Sequence, residues 1–283
     1  MKKTIIRLLY ILLCMVTITS SCSREDDDLQ LTGLNGKPSS IGYDNDNKPN
    51  RNVYFYYQGD KLSEIKELKG SVTRLNYENN ELVSVDFSPE DKEVMDGHGS
   101  VLFKKEGRDK IIIESWAEPS LELFRMEMKL DENNLPLKIT ESGFYSYNGA
   151  EGEFSKTVDG FYYAVFTYEP STNNLLRQTI YTKDTDAKVV SYEYEYDSNM
   201  GAISEIDLPL WYYVYQAYRN KNYRNAYNRL FFNYTNNLIK ETVHAEGTAD
   251  GDIFHYTYQY NHGKIPVFME HDIAGIPSIF ITY

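Results

Sequence analysis

The stretch NYENNELVSVDF, residues 76–87, decides the fold. Before its Asn pair, Thr73-Arg74-Leu75-Asn76-Tyr77 alternates between polar and apolar side chains. After the pair, Leu82-Val83-Ser84-Val85-Asp86-Phe87 alternates again. A period of two, rich in β-branched and aromatic residues, marks half-buried strands. Asparagine tolerates the positive φ that tight hairpin turns demand. The stretch therefore predicts two antiparallel strands joined at Asn79-Asn80, with Leu82 opening the return strand.

The same punctuation recurs at Asn133-Asn134-Leu135, Asn173-Asn174-Leu175 and Asn236-Asn237-Leu238. Other turn residues stand in the same place after Tyr57 (Gln58-Gly59-Asp60), Phe103 (Lys104 to Asp109), Tyr196 (Asp197 to Gly201) and Tyr260 (Asn261 to Lys264). That makes eight expected hairpins, anchored by Tyr57, Tyr77, Phe103, Leu130, Tyr168, Tyr196, Tyr234 and Tyr260. The anchors lie 20 to 38 residues apart, a ragged period that fits a degenerate hairpin array better than a strict solenoid. The expected fold is all-β: an antiparallel meander of about eight hairpins forming a large curved sheet or partly closed barrel.

Two stretches break the alternation. Around Pro209, residues 208–227 are dense in tyrosine with Trp211, Ala217 and Ala226, and read as a helical or irregular insertion packed on the sheet. Ser88 to Ser100 is rich in Asp, Glu and Gly and reads as an exposed loop.

The N-terminus is a processing signal. Lys2, Lys3 and Arg7 precede an apolar run from Leu8 to Ile18, too short for a membrane span. Thr19-Ser20-Ser21 then leads into Cys22, which resembles a bacterial lipoprotein signal of residues 1–21 with Cys22 as the lipidated first residue. A plain secretory signal cut nearby is the alternative. Residues 22–50 read as an acidic flexible tether and 51–283 as a single repeat-built β domain. Removal of the signal takes three basic residues and moves the net charge from −13 to −16. Such a surface repels nucleic acid and anionic headgroups. Cys14 leaves with the signal, so no disulfide forms within the mature chain.

The segments Tyr54-Phe55-Tyr56-Tyr57-Gln58-Gly59-Asp60-Lys61-Leu62-Ser63-Glu64-Ile65 and Tyr194-Glu195-Tyr196-Asp197 resemble the Tyr-Asp repeats of RHS-type proteins. The chain as a whole, over roughly residues 50–283, is similar to Bacteroidota surface lipoproteins of unknown function built from such repeats. The resemblance implies a curved antiparallel sheet and brings no established activity. The run Ser23-Arg24-Glu25-Asp26-Asp27-Asp28 also resembles the acidic export signal of surface-exposed lipoproteins in Bacteroidota; retention on the inner leaflet is the alternative.

Site chemistry is sparse. The chain holds 26 tyrosines, and most track the strands, where cross-strand pairing explains them. Trp211, Tyr215 and Trp116 are the candidates for a ligand-stacking platform. His98, His244, His255, His262 and His271 make no compact metal-ligand spacing, and Asp44-Asn45-Asp46-Asn47 and Asp250-Gly251-Asp252 lack the rest of a calcium loop. No nucleophile elbow, phosphate loop or dinucleotide glycine cluster is present. The expected function is a non-catalytic binding or interaction module without cofactor, held to the outer membrane by a lipid on Cys22. It would face the exterior and take a glycan or an envelope protein as partner. A structural accessory of an envelope complex is the alternative, followed by a carboxylate-dependent hydrolase. A transmembrane barrel is a further reading, opposed by apolar strands such as Ile111-Ile112-Ile113.

Overall fold

The computed structural model describes residues 36–43, 52–67, 70–89, 98–117, 122–148, 153–219, 229–247, 250–274 and 277–283. In chain order the strands are β1 (Ser40–Tyr43), β2 (Val53–Gln58), β3 (Lys61–Glu67), β4 (Ser71–Glu78), β5 (Glu81–Pro89), β6 (Gly99–Lys105), β7 (Lys110–Ala117), β8 (Glu122–Leu130) and β9 (Pro136–Asn148). They continue with β10 (Glu153–Asp159), β11 (Tyr162–Tyr168), β12 (Leu175–Thr182) and β13 (Lys188–Met200). A helix, α1 (Leu210–Arg219), precedes β14 (Asn236–Ala245), β15 (Asp252–Tyr260), β16 (Pro266–His271) and β17 (Ile279–Thr282).

Every pairing is antiparallel, and, β10 and β11 apart, neighbours in sequence pair in the sheet. The ring closes at β1, which pairs with β2 on one side (Ser40↔Tyr54) and β17 on the other (Ser40↔Thr282). The result is a closed barrel of sixteen strands, tighter than the open or partly closed sheet expected from sequence. Ser40–Tyr43 lies within the stretch read as tether, so the β domain begins before residue 51. Four residues carry too short a pattern to betray a strand, and only the two flanking edges give them partners.

β10 and β11 run along β9 as one bent strand, β10 on residues 143–148 and β11 on residues 138–140. At the bend Gly143 has φ +135, and a Cβ there would collide with the Val158 carbonyl. Only glycine fits both demands. β10 is exposed along its whole length and, among the described residues, pairs with β9 alone.

The turns answer the opening motif. Asn79 and Asn80 adopt φ of 51 and 66, the two-residue hairpin conformation predicted for them. Asn134 (φ 62) and Asn173 (φ 60) each supply one left-handed residue to longer turns. The fourth pair does something else: Asn236 and Asn237 open β14, and Met200 pairs with Asn236. The expected hairpins at Tyr196 and Tyr234 are therefore one hairpin, β13–β14, whose turn has been replaced by residues 201–235.

The aromatic anchors sit beside a register shift just before their turn, at Tyr57, Tyr77, Tyr168, Tyr196 and Tyr260. Several donate their hydroxyl to the residue that opens a neighbouring hairpin's return strand. Tyr77 reaches the Leu62 carbonyl (2.9 Å), Tyr168 that of Pro136 (2.7 Å) and Tyr196 that of Leu175 (2.9 Å). Tyr258 reaches Leu238 (2.9 Å), and the final residue Tyr283 reaches Pro266 (2.9 Å). Each accepting residue is buried, where an unmet carbonyl is costly. Tyrosine repeats because phenylalanine would fill the space and leave the carbonyl unmet.

Sixteen strands enclose a lumen too wide for strand side chains alone to fill. The insertion fills it. Helix α1 buries Trp211, Tyr212, Tyr213, Val214, Tyr215, Ala217 and Tyr218, which is burial on all sides. Its contacts and those of its flanks run round the wall: Trp211 to Phe103 on β6 (4.9 Å between ring centres), Tyr218 to Glu141 on β9 (2.9 Å), Phe232 to Tyr194 on β13 (4.8 Å) and Asn233 to Tyr258 on β15 (2.9 Å). Arg229, 1% exposed, donates to Glu241 on β14 at 3.1 Å, and Tyr256 donates to the other carboxylate oxygen at 3.1 Å. The segment expected to pack on the sheet is thus its core; residues 220–228 of that segment lie outside the described residues.

The outer wall is charged. Glu114 takes Lys104 and Arg125 from the adjacent strands at 2.5 Å each, Arg177 meets Glu193 at 2.6 Å, and Lys240 meets Glu195 at 2.7 Å. Burial alone would raise the Glu114 pKa, but its two cations hold it below the usual carboxylate value. A membrane-spanning barrel shows an apolar band outside and polar residues inside. This barrel has an aromatic interior, and its outer wall sets ion pairs beside exposed apolar side chains such as Phe144, Phe154, Val165 and Phe280.

Candidate functional site

Six hairpin turns face one end of the barrel, and there the insertion, in place of the β13–β14 turn, enters the lumen. Between the β2–β3, β4–β5 and β6–β7 turns and the start of α1 lies a cleft of about 180 Å³. Its lining is Lys61, Tyr77, Asn80, Glu81, Leu82, Lys105, Asp207, Pro209 and Trp211. Pro209 immediately precedes the first helical residue, and its carbonyl accepts from Tyr212 N at 2.9 Å, which fixes where Trp211 enters.

Two ion pairs cross the cleft. Lys61 Nζ lies 2.5 Å from Asp207 Oδ2 and 5.6 Å from the centre of the Tyr77 ring. Lys105 Nζ lies 2.6 Å from Glu81 Oε1. The Tyr77 hydroxyl is pushed up in pKa, chiefly by burial and then by the Asp207 carboxylate. It stays protonated and keeps its bond to Leu62. The cleft thus offers ammonium donors, carboxylate acceptors and an aromatic floor, with no nucleophile beside a base.

Trp211 lines this cleft with only 3% of its surface exposed. Tyr215 lies behind it, buried, with its ring 5.4 Å from Phe103. Trp116 is elsewhere: it is half-exposed on the outer wall, opposite Leu123 of β8. It stands six residues along β7 from the turn, roughly 20 Å away at 3.3 Å per residue. The structure brings two of the three candidate aromatics together and separates the third. Lys61, Glu81, Lys105 and Asp207 went unread in the sequence, because charges beside turns are ordinary and only the pairing of three hairpins with the insertion sets these four around one opening.

The remaining candidates disperse. His255 pairs with Asp272 at 3.0 Å, His271 lies 3.3 Å from the Pro277 carbonyl, and His244 lies 4.0 Å from Glu193. Among the described residues no three His, Cys, Asp or Glu side chains gather as a metal site. The inward glutamates are engaged, Glu241 as above and Glu141 by the Tyr218 hydroxyl and the Phe161 and Tyr162 amides. Cys22 and Asp44 to Asn47 lie outside the described residues.

No family model matches this chain, and no curated protein matches it. Among solved structures it is similar to a porin-like protein from Bacteroides uniformis ATCC 8492 (TM-score 0.38, 10% identity, 87% of this chain and 97% of that chain). It is also similar to a porin-like protein from Bacteroides vulgatus ATCC 8482 (TM-score 0.27, 13% identity, 86% and 81%). A third is the Tc holotoxin pore of Photorhabdus luminescens (TM-score 0.25, 10% identity, 81% of this chain and 12% of that chain). At these scores and identities the likenesses transfer no function.

Proposed function

We propose that this chain is a non-catalytic binding module, anchored to the outer membrane through a lipid on Cys22 and facing the exterior. The observation that carries it is the filled lumen inside a charged wall. A barrel with an aromatic core and ion-paired strands outside stands in water, and with the lumen occupied its chemistry is left to its rims and surface. The cleft at the turn-bearing rim is the place for a ligand. The Ser-Ser-Cys sequence at 20–22 and the acidic run after it support the anchor and its orientation.

The test has two arms. Cys22→Ala releases the protein from the membrane fraction if the lipid is the anchor, and leaves it there if it is not. A thermal-shift panel of oligosaccharides, peptides and divalent metals then reads ligand binding. A saturable rise that follows mass action, lost on Lys61→Ala, supports a binding module using this cleft. A flat response across the panel counts against it.

A second reading is favoured by β10, an exposed edge strand carrying Phe154 and Val158 beside Phe144 and Tyr147. As an assembly accessory, the chain would accept an extended strand of an envelope protein along that edge. Cross-linking from Ser155→Cys in intact cells tests it.

A further inference from the structure

The cleft's lining selects a ligand class, an inference that rests on the binding-module reading. We infer that the cleft holds one ring of a neutral saccharide, in preference to an acidic or amino sugar. Size comes first. At about 180 Å³ the cleft falls well below the roughly 300–1,000 Å³ of sites for drug-sized ligands, so it takes a single ring or chain terminus. Its floor is apolar and aromatic: half-buried Tyr77 and Pro209 are suited to the C–H face of a pyranose, with Trp211 and Leu82 nearly covered behind them.

Its charges are compensated. Lys61 is matched by Asp207 and Lys105 by Glu81, so the lining carries no net charge. A hydroxyl both donates and accepts, and it can bridge an ammonium and a carboxylate without separating them. A uronate carboxylate would instead sit against Asp207 or Glu81, and an amino sugar's ammonium against Lys61 or Lys105. Each charged ligand must strip a partner from an existing pair. An extended peptide would need a groove or a free sheet edge, and three hairpin turns bound this opening.

The test is calorimetric titration of the full chain in detergent at pH 6.5. The probes are the methyl glycosides of glucose, galactose, mannose and N-acetylglucosamine, with glucuronate and glucosamine beside them. At least one neutral glycoside is expected to bind roughly tenfold more tightly than either charged sugar, the effect of one displaced charged hydrogen bond. Glu81→Gln leaves Lys105 uncompensated and should bring glucuronate within about threefold of the neutral glycoside; Lys105→Met should do the same for glucosamine. Both changes should shrink at 0.5 M salt, where exposed charges are screened. These side chains are half-exposed at the rim, and an unchanged thermal midpoint verifies that the variants fold. Tightest binding of a charged sugar by the unmodified chain overturns the inference. So does failure of every neutral glycoside to bind, or neutral binding that ignores Lys61→Ala and Glu81→Gln. A peptide or metal whose binding is lost on those variants would refute the saccharide while leaving the binding module standing.

Discussion

Tyr168 and Tyr196 each donate a hydroxyl to a buried carbonyl of the neighbouring hairpin, at 2.7 and 2.9 Å. Removing one oxygen leaves that carbonyl without its donor, so Tyr168→Phe or Tyr196→Phe should each cost about 1–3 kcal/mol. The exposed Tyr147→Phe should stay within roughly 0.5 kcal/mol. Urea denaturation of the three variants checks this, and an equal loss at Tyr147 would remove the special role given to the anchors. Titration follows from the same burial. Tyr168, Tyr194, Tyr196 and Tyr258 are held well above the ordinary tyrosine pKa, first of all by desolvation. Tyr260 is pushed up to about 12 by burial and by Asp197. An unfolded tyrosine titrates near 10, so below that pH both states keep their protons and the contribution is complete. Above it the unfolded state loses protons first, and stability should fall as pH climbs from about 10 through 12. The buried tyrosines should then ionise together with loss of the β signal in circular dichroism, after the exposed ones; ionisation of every tyrosine well before that loss would contradict the burial.

At the scale of elements, identical dipeptides have different work. Asn79 and Asn80 occupy the left-handed region as a hairpin turn, whereas Asn236 and Asn237 begin a strand. Replacing both turn asparagines with alanine should cost about 1–2 kcal/mol per left-handed residue. Asn80→Gly should be neutral or better, since glycine adopts that conformation freely. At β14 the loss takes another form, because Asn237 accepts from Ala202 N at 3.0 Å and its amide donates to the Met200 carbonyl at 2.9 Å. Asn237→Gly should therefore destabilise where Asn80→Gly does not. Thermal midpoints of the two glycine variants separate the roles.

For the whole molecule, closure and filling are the determining features. A chain begun at residue 51, the boundary suggested by composition, would lack β1 and with it the Ile41 side chain, which is fully buried. It would also lose the Pro38 carbonyl that accepts from Tyr57 at 2.7 Å. Losing one buried isoleucine costs about 2–5 kcal/mol, so its melting temperature should fall by about 10 °C against a chain begun at residue 31. Equal melting points would mean that the ring does not depend on β1. Inside, Arg229 ties the insertion to the wall through Glu241. Arg229→Met should cost about 3–5 kcal/mol by stranding that carboxylate, and adding Glu241→Leu should recover much of the loss. A double variant no better than the single would show that the pair does more than neutralise its own charges.

The sequence by itself determined the strands and most of their turns, because a period of two and the left-handed tolerance of asparagine are local properties. It marked Tyr57, Tyr77, Tyr168 and Tyr260 as anchors, and it marked residues 208–227 as a break in the alternation. Only the tertiary structure decided that Tyr196 and Tyr234 belong to one hairpin, that Ser40–Tyr43 closes a ring, and that Trp211 stands in the lumen. Each of these depends on contact between distant parts of the chain. Ser40 meets Thr282 because sixteen strands closed on one another, Arg229 meets Glu241 and Lys61 meets Asp207 because the insertion folded into the lumen, and pairings of that kind leave no periodic trace in the residues that make them.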